Sequence, residues 1–148
     1  MLKGLDPLLS PELLYVLAAM GHGDDIAIVD ALHPGERIGK ATTHGKVVRL
    51  PGTDIVAVTR AILSLLPLDD FVNDPVRRME VVGNTQEIPP VQQLVQAEVD
   101  RAWGSAKPMV PVERFAFYEA EARAYAVVQT GDMRPYGCFL IRKGIVRL

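Results

Sequence analysis

The sequence predicts an α/β fold, one domain built on a mixed β-sheet. Three observations lead to it. Segments with apolar residues at helical spacing alternate with short apolar runs of strand length. The run Ile26 to Asp30 reads as a buried strand. The last two strand-like runs flank a Thr130-Gly131-Asp132 turn and are placed to pair as a hairpin, which adds an antiparallel pair to the sheet. At 148 residues the chain is long enough to bury a real core.

Ser10-Pro11-Glu12 starts the first helix, with Ser10 as N-cap, proline at the first position and an acid in the first turn. Leu13, Leu14, Leu17 and Met20 form its apolar stripe, and Gly21 closes it. After the strand to Asp30, Ala31 to Lys46 is a long connection with a Pro34-Gly35 turn, suited to substrate contacts or an interface. Val47 to Leu50 is a short strand. Thr53 is expected to cap a helix to about Leu66, with Ile55, Val56, Ile62, Leu65 and Leu66 inward. Arg78 to Val82 is the next strand. Pro89-Pro90 opens a helix that puts Val91, Leu94, Val95, Val99 and Ala102 on one face, with Trp103 over its end. Val110 to Val112 is a strand, Phe115 to Ala124 a helix, Tyr125 to Thr130 a strand and Tyr136 to Arg142 the last strand.

Composition narrows the function. A net charge of -2, with scattered Lys and Arg, gives no electrostatic case for nucleic acid or anionic lipid. No apolar run reaches membrane-span length, and Met1 to Asp6 lacks the apolar core of a signal peptide, so a cytoplasmic location is expected. The single Cys138 excludes an internal disulfide and a cysteine zinc site. His22, His33 and His44 match no compact metal-ligand spacing, and no phosphate-loop or dinucleotide motif is present.

Three segments carry chemistry rather than core. The first is Gly21-His22-Gly23-Asp24, followed by the strand that ends in Asp30. A histidine titrates near neutral pH, and neighbouring glycines let it approach a ligand closely. The second is Glu113-Arg114-Phe115-Ala116-Phe117-Tyr118-Glu119. The third runs from Thr130-Gly131-Asp132 to Tyr136-Gly137. Each has a plainer reading. His22 can be a solvated turn residue, and Asp30 can cap a turn. Arg114 can pair with Glu113 or Glu119 on the surface. Tyr136 can pack at a strand start, Phe117 and Tyr118 can be core or interface, and Cys138 can be a buried inert thiol. Asp24 is read as a support of its turn.

With Leu9-Ser10-Pro11-Glu12-Leu13-Leu14 and Arg142-Lys143-Gly144-Ile145, these segments closely resemble the L-fucose mutarotase family, sibling of the D-ribose pyranase family. The resemblance runs almost end to end and is strongest in the first thirty and last thirty-five residues. It implies a three-layer α/β/α, ribose-pyranase-like domain that interconverts α and β anomers of a free sugar without cofactor or metal. It implies His22 as proton donor, with Asp30, Arg114, Tyr136, Gly137 and Cys138 against the sugar. It further implies a ring-like homo-oligomer, octamer or decamer, with the site near a subunit boundary.

Two positions depart from that pattern. The family's asparagine is Cys138 here, and a thiol hydrogen-bonds more weakly than an amide. Many fucose members carry histidine two residues after the strand aspartate, where this chain has Leu32 and then His33. Mutarotation opens a hemiacetal by protonating the ring oxygen and deprotonating the anomeric hydroxyl, and closing reverses both. Acid-base groups suffice for it. His22 fits one role. Water, Asp30, Tyr118 and Tyr136 are candidates for the other. The alternatives are a pyranase for ribose or another sugar, and a non-catalytic sugar-binding or regulatory protein.

Overall fold

Local hydrogen bonds start the helices. The Ser10 hydroxyl accepts the Leu13 N–H at 3.2 Å, and α1 spans Pro11–Ala19 with Leu13, Val16 and Leu17 buried. Asp54, not Thr53, is the N-cap of α3 (Ile55–Leu63), accepting from Val56 at 2.8 Å and Ala57 at 3.0 Å. Thr53 instead donates its hydroxyl to the Leu50 carbonyl, because the chain is still turning out of the preceding strand. Glu113 caps α5 (Arg114–Ala122) by accepting from Phe115 and Ala116. Pro90 opens α4 (Pro90–Trp103). The long connection after Asp30 contains a one-turn α2 (Gly35–Gly39).

The computed structural model describes residues 1–148. The strands are β1 (Asp25–Val29), β2 (Val47–Leu50), β3 (Val76–Met79), β4 (Val110–Val112), β5 (Ala126–Thr130) and β6 (Cys138–Arg142). They form one six-stranded sheet in the order β2-β5-β1-β6-β3-β4. Every neighbouring pair is parallel except those of β6, which runs antiparallel to both β1 and β3. The sheet is mixed, as expected, but by a different route. β5 and β6 do not form a hairpin. β1 lies between them, with Val29 opposite Cys138 and Ile26 opposite Ala126. A turn signal says only that the chain reverses. It does not register that an earlier strand fills the gap.

Both faces of the sheet are covered. Ile26, Ile28, Val128, Phe139 and Ile141 pack one face against α1, α3 and α4. The alternate residues Ala27, Val29, Val127, Cys138 and Leu140 pack the other face with Phe117 of α5 and Ile38 of α2. This period-two division gives the three-layer arrangement. It also explains why the central strands are apolar throughout. Phe117 is therefore core. Three residues expected inward are exposed: Leu65 lies past the end of α3, and Leu94 and Ala102 are not covered on α4. The strand expected at Arg78 to Val82 is centred earlier, because its apolar inward residues are Val76 and Met79.

The turn after β5 locks this arrangement. A Cβ at Gly131 would stand 2.3 Å from the Gly52 nitrogen, so only glycine lets these backbones meet. The next residue, Asp132, accepts the Ile55 N–H at 3.1 Å and holds Arg134 through Nε at 2.9 Å and Nη2 at 2.6 Å. The Arg134 guanidinium lowers the Asp132 carboxyl to about 2. The folded pKa lies below the unfolded one, so the stabilisation is complete above about pH 4 and lost as pH falls toward 2. Asp132→Asn is expected to lose on the order of 2 kcal/mol at neutral pH, and its stability should fall less steeply than the wild type's across that acid range. Urea unfolding at a series of pH values measures both.

Candidate active site

Five strands point the same way, so their carboxyl ends share one edge of the sheet with the amino end of β6. Open α/β sheets place ligands at such an edge. Here a pocket of about 230 Å³ opens between Asp30 after β1, Met79 at the end of β3, Cys138 at the start of β6 and Arg114 and Tyr118 on α5. It lies below the roughly 300–1,000 Å³ of drug-sized sites and suits a molecule the size of one monosaccharide.

Asp30 is buried at its base. Its Oδ1 accepts the Leu32 N–H at 3.0 Å. Its Oδ2 stands 3.5 Å from the Cys138 thiol. Burial pushes the Asp30 carboxyl above the usual range, while the Leu32 and Gly137 N–H groups and Cys138 pull it back. Gly137 faces Asp30 directly, since a Cβ there would meet the Asp30 Cβ at 3.4 Å. Asp30 thus caps the turn and faces the pocket at once.

Arg114 does not pair with its neighbouring glutamates. Its Nε donates to the Tyr118 hydroxyl at 2.9 Å, one helical turn away, and its guanidinium lies 5.5 Å from the Phe115 ring centre. The Tyr136 hydroxyl accepts the Val82 N–H at 3.1 Å, as Tyr118 accepts from Arg114, so both phenol protons are free for a ligand.

Tyr136 is the only non-glycine residue with positive φ, at 65°. Such a backbone costs on the order of 1–3 kcal/mol and persists where its surroundings impose it. The clamp is Gln92 on α4, fully buried. Its amide donates to the Met79 carbonyl at 2.7 Å and to the Tyr136 carbonyl at 3.0 Å, and its oxygen accepts from Arg78 at 3.1 Å. Gln129 plays the matching role across the pocket, donating to the carbonyls of Asp30 at 3.2 Å and His33 at 2.8 Å.

The structure brings Asp30, Arg114, Tyr136, Gly137 and Cys138 together. His22 lies elsewhere. It precedes β1, whereas Asp30 follows it, and a five-residue strand of about 17 Å separates them. At that opposite edge the His22 Nε2 is 3.0 Å from Asp69 Oδ1, and its ring is 5.1 Å from the exposed Phe71 ring. Arg147 lies over the other side of this cluster, 5.8 Å from the Phe71 ring and paired with Asp70. Asp24 accepts the Gly21 N–H at 2.7 Å and supports the turn, as expected.

Residues 3–146 match the family described as RbsD / FucU transport protein family. The chain belongs to this family. An L-fucose mutarotase from Actinobacillus pleuropneumoniae is 40% identical over 98% of this chain and 97% of its own. The human fucose mutarotase is 41% identical over 99% and 96%. The crystal structure of the fucose mutarotase from Streptococcus pneumoniae in complex with L-fucose superposes with a TM-score of 0.89 at 32% identity, covering 99% of this chain and all of that one. The three-layer, RbsD/FucU-type fold is thereby established.

Sequence reasoning passed over Gln92, Gln129 and Glu121. A signal for Glu121 exists: Arg114, Tyr118 and Glu121 follow helical spacing and share one stripe of α5. The two glutamines carry none, because an amide in an apolar face is explained only by the carbonyls it meets. Gln92→Ala is expected to lose on the order of 2–3 kcal/mol, since two carbonyls and Arg78 lose a buried partner. It should also weaken sugar binding by releasing Tyr136. Thermal unfolding and a sugar titration followed by NMR shifts check the pair of effects.

Proposed function

We propose that this protein is a sugar mutarotase, an isomerase that interconverts the α and β anomers of L-fucose or a related free aldose. One observation carries the reading: a monosaccharide-sized pocket at the carboxyl edge of the sheet, walled by a raised carboxyl, a guanidinium and two phenols with free protons. Relatives at about 40% identity over nearly the whole chain bear the mutarotase name, which supports it.

In this reading Arg114, Tyr118 and Tyr136 hold the sugar hydroxyls, and the apolar walls Leu32, Met79 and Val82 meet its carbon faces. Asp30 contacts the anomeric end, with Gly137 and Cys138 behind it. His22 protonates the ring oxygen. No cofactor, metal or covalent intermediate enters, because ring opening and closing move only protons.

His22 has to come from a second copy of the chain. Its own pocket lies at the far edge of the sheet, and His22 sits in a half-exposed cluster with Phe71 and Arg147 that can cap a neighbour's pocket. A ring-like homo-oligomer, octamer or decamer, supplies that geometry by head-to-tail contacts that close. The site then needs two protomers. No helix is long and apolar enough to cross a membrane. A buried free thiol and a free-sugar substrate suit the cytoplasm, where we place it.

Saturation-transfer NMR of L-fucose, with ribose and other aldoses beside it, tests the reading. The wild type should accelerate anomer exchange, and His22→Ala should lose it by about a hundred- to ten-thousand-fold while still binding sugar. Binding without exchange in the wild type would leave a sugar-binding protein instead. A second trial addresses the shared site. His22→Ala and Arg114→Ala, each inactive alone, should regain exchange when dissociated and reassembled together. Silence of the mixture would return His22 to its own protomer or remove it from the reaction.

A further inference from the structure

Four titratable side chains stand in a row from the pocket into the sealed interior. Asp30 Oδ2 lies 3.5 Å from Cys138 Sγ. That sulfur lies 3.3 Å from His33 Nδ1. The other ring nitrogen, Nε2, lies 2.7 Å from Glu121 Oε2. Asp30, Cys138 and His33 all line the pocket, and Glu121, 0% exposed, is the sealed end of the row. The second Glu121 oxygen, Oε1, is buried with no partner.

We propose that Asp30 and Glu121 are the two ends of one titrating unit, joined through Cys138 and His33, and that this unit supplies the pocket's second acid-base group. The proposal rests on the mutarotase reading. Asp30 touches the sugar. Glu121 and His33 act through it and are positioning residues.

The hydrogen bonds allow two arrangements with the same protons. In one, Asp30 is a carboxylic acid that donates to Sγ, the thiol donates to Nδ1, and Nε2–H donates to the Glu121 carboxylate. In the other, Glu121 is the acid and donates to Nε2, Nδ1–H donates to Sγ, and the thiol donates to the Asp30 carboxylate. Three transfers convert the first into the second. The Asp30 proton goes to sulfur, the sulfur's proton to Nδ1, and the Nε2 proton to Glu121. One O–H, one S–H and one N–H bond break, and one of each forms. The row carries one negative charge throughout, and no thiolate or second buried carboxylate is needed. Two carboxyls that share a proton titrate as a pair.

Three facts favour this over separate groups. A buried carboxylate with an orphaned oxygen is costly, and the neutral acid form of Glu121 lowers that cost. Burial pushes both carboxyls above their usual range. The remaining charged or titratable neighbours do not intervene. Arg37 of α2 acts on Glu121 at longer range, and the Tyr118 and Phe117 rings of α5 pack against His33 edge-on at 5.4 Å and 6.2 Å. Arg114 is held by Tyr118, and the Tyr136 hydroxyl by Val82. The function is to bring a carboxyl toward the neutral range, where a group both gives and takes protons well.

The test compares wild type, Glu121→Gln, Cys138→Ala, Cys138→Ser and the Glu121→Gln/Cys138→Ala double variant. Glutamine keeps the shape and a hydrogen bond to His33 but cannot ionise. The pH limb of the exchange rate that belongs to Asp30 should move to lower pH in Glu121→Gln. The rate at neutral pH should fall roughly tenfold with sugar affinity unchanged. Cys138→Ala should cut the row, so that Glu121→Gln added to it moves the limb no further, while Cys138→Ser, whose hydroxyl still bridges, should keep much of the response to Glu121→Gln. A loss equal at every pH, or an unmoved limb, would overturn the proposal in favour of a packing role. Labelled-protein NMR gives a readout independent of activity. The Asp30 and Glu121 carboxyl carbons and the His33 ring nitrogens should shift through one common midpoint in the wild type and separate ones in Cys138→Ala. Separate midpoints in the wild type reject the unit. Absent exchange with a common midpoint rejects the mutarotase reading and keeps the unit.

Discussion

The antiparallel pairing of β6 with β1 is the constraint on which the rest of the molecule depends. It sets Val29 opposite Cys138, and so delivers the start of β6 to the end of β1. Asp30, Gly137 and Cys138 meet for that reason alone. Were β6 parallel to its neighbours, its first residues would sit at the opposite edge and the pocket would lose one wall. The pairing also buries β1 on both sides and both faces, which is why four of its five residues are wholly inaccessible.

Burial on both faces limits where polar groups can stand. The central strands β1 and β6 hold none between their ends, whereas Arg49 stands on β2 and Arg77 and Arg78 on β3. Around the central strands, polar side chains collect at the two edges, and each edge is satisfied by its own network. At the amino end of β1, Asp25 accepts from Arg77 at 2.5 Å and Arg142 at 3.1 Å, and His22 meets Asp69 nearby. At the carboxyl end, Gln92 and Gln129 saturate the backbone carbonyls that the loops leave unpaired. Buried amides of this kind rigidify, because a carbonyl deprived of its partner has no water to turn to. The strained backbone of Tyr136 is held by that rigidity. Scaffold and site are one structure here: the residues that complete the hydrogen bonding of the sheet edge also aim the groups that face the ligand.

Cys138 shows how a departure can be absorbed. A thiol is a poor substitute for an amide when it stands alone. In this chain it stands between Asp30 and His33, and His33 is itself fastened to Glu121. The cysteine, the histidine after Leu32 and the glutamate on α5 form a single set of contacts, so none of the three is interpretable singly.

Much of this protein was determined by local sequence. The Ser10-Pro11 helix start, the apolar runs of β1, β2 and β5, and the alternation that makes an α/β fold are properties of neighbouring residues, and physical chemistry acts on them directly. Asp30 stood out as a carboxylate at a strand tip, while Arg114, Tyr136, Gly137 and Cys138 were named through the family resemblance that the sequence motifs carry, and the structure sets all five around one pocket. The tertiary structure alone decided which strand lies beside which, and therefore that β1 separates β5 from β6. It decided that His22 and Asp30, eight positions apart, face opposite ends of the sheet, since an extended strand carries its ends apart. It also paired His33 with Glu121, 88 residues later, inside the protein. Strand order and such distant contacts arise from the packing of whole faces against each other, and no local window of sequence contains that information.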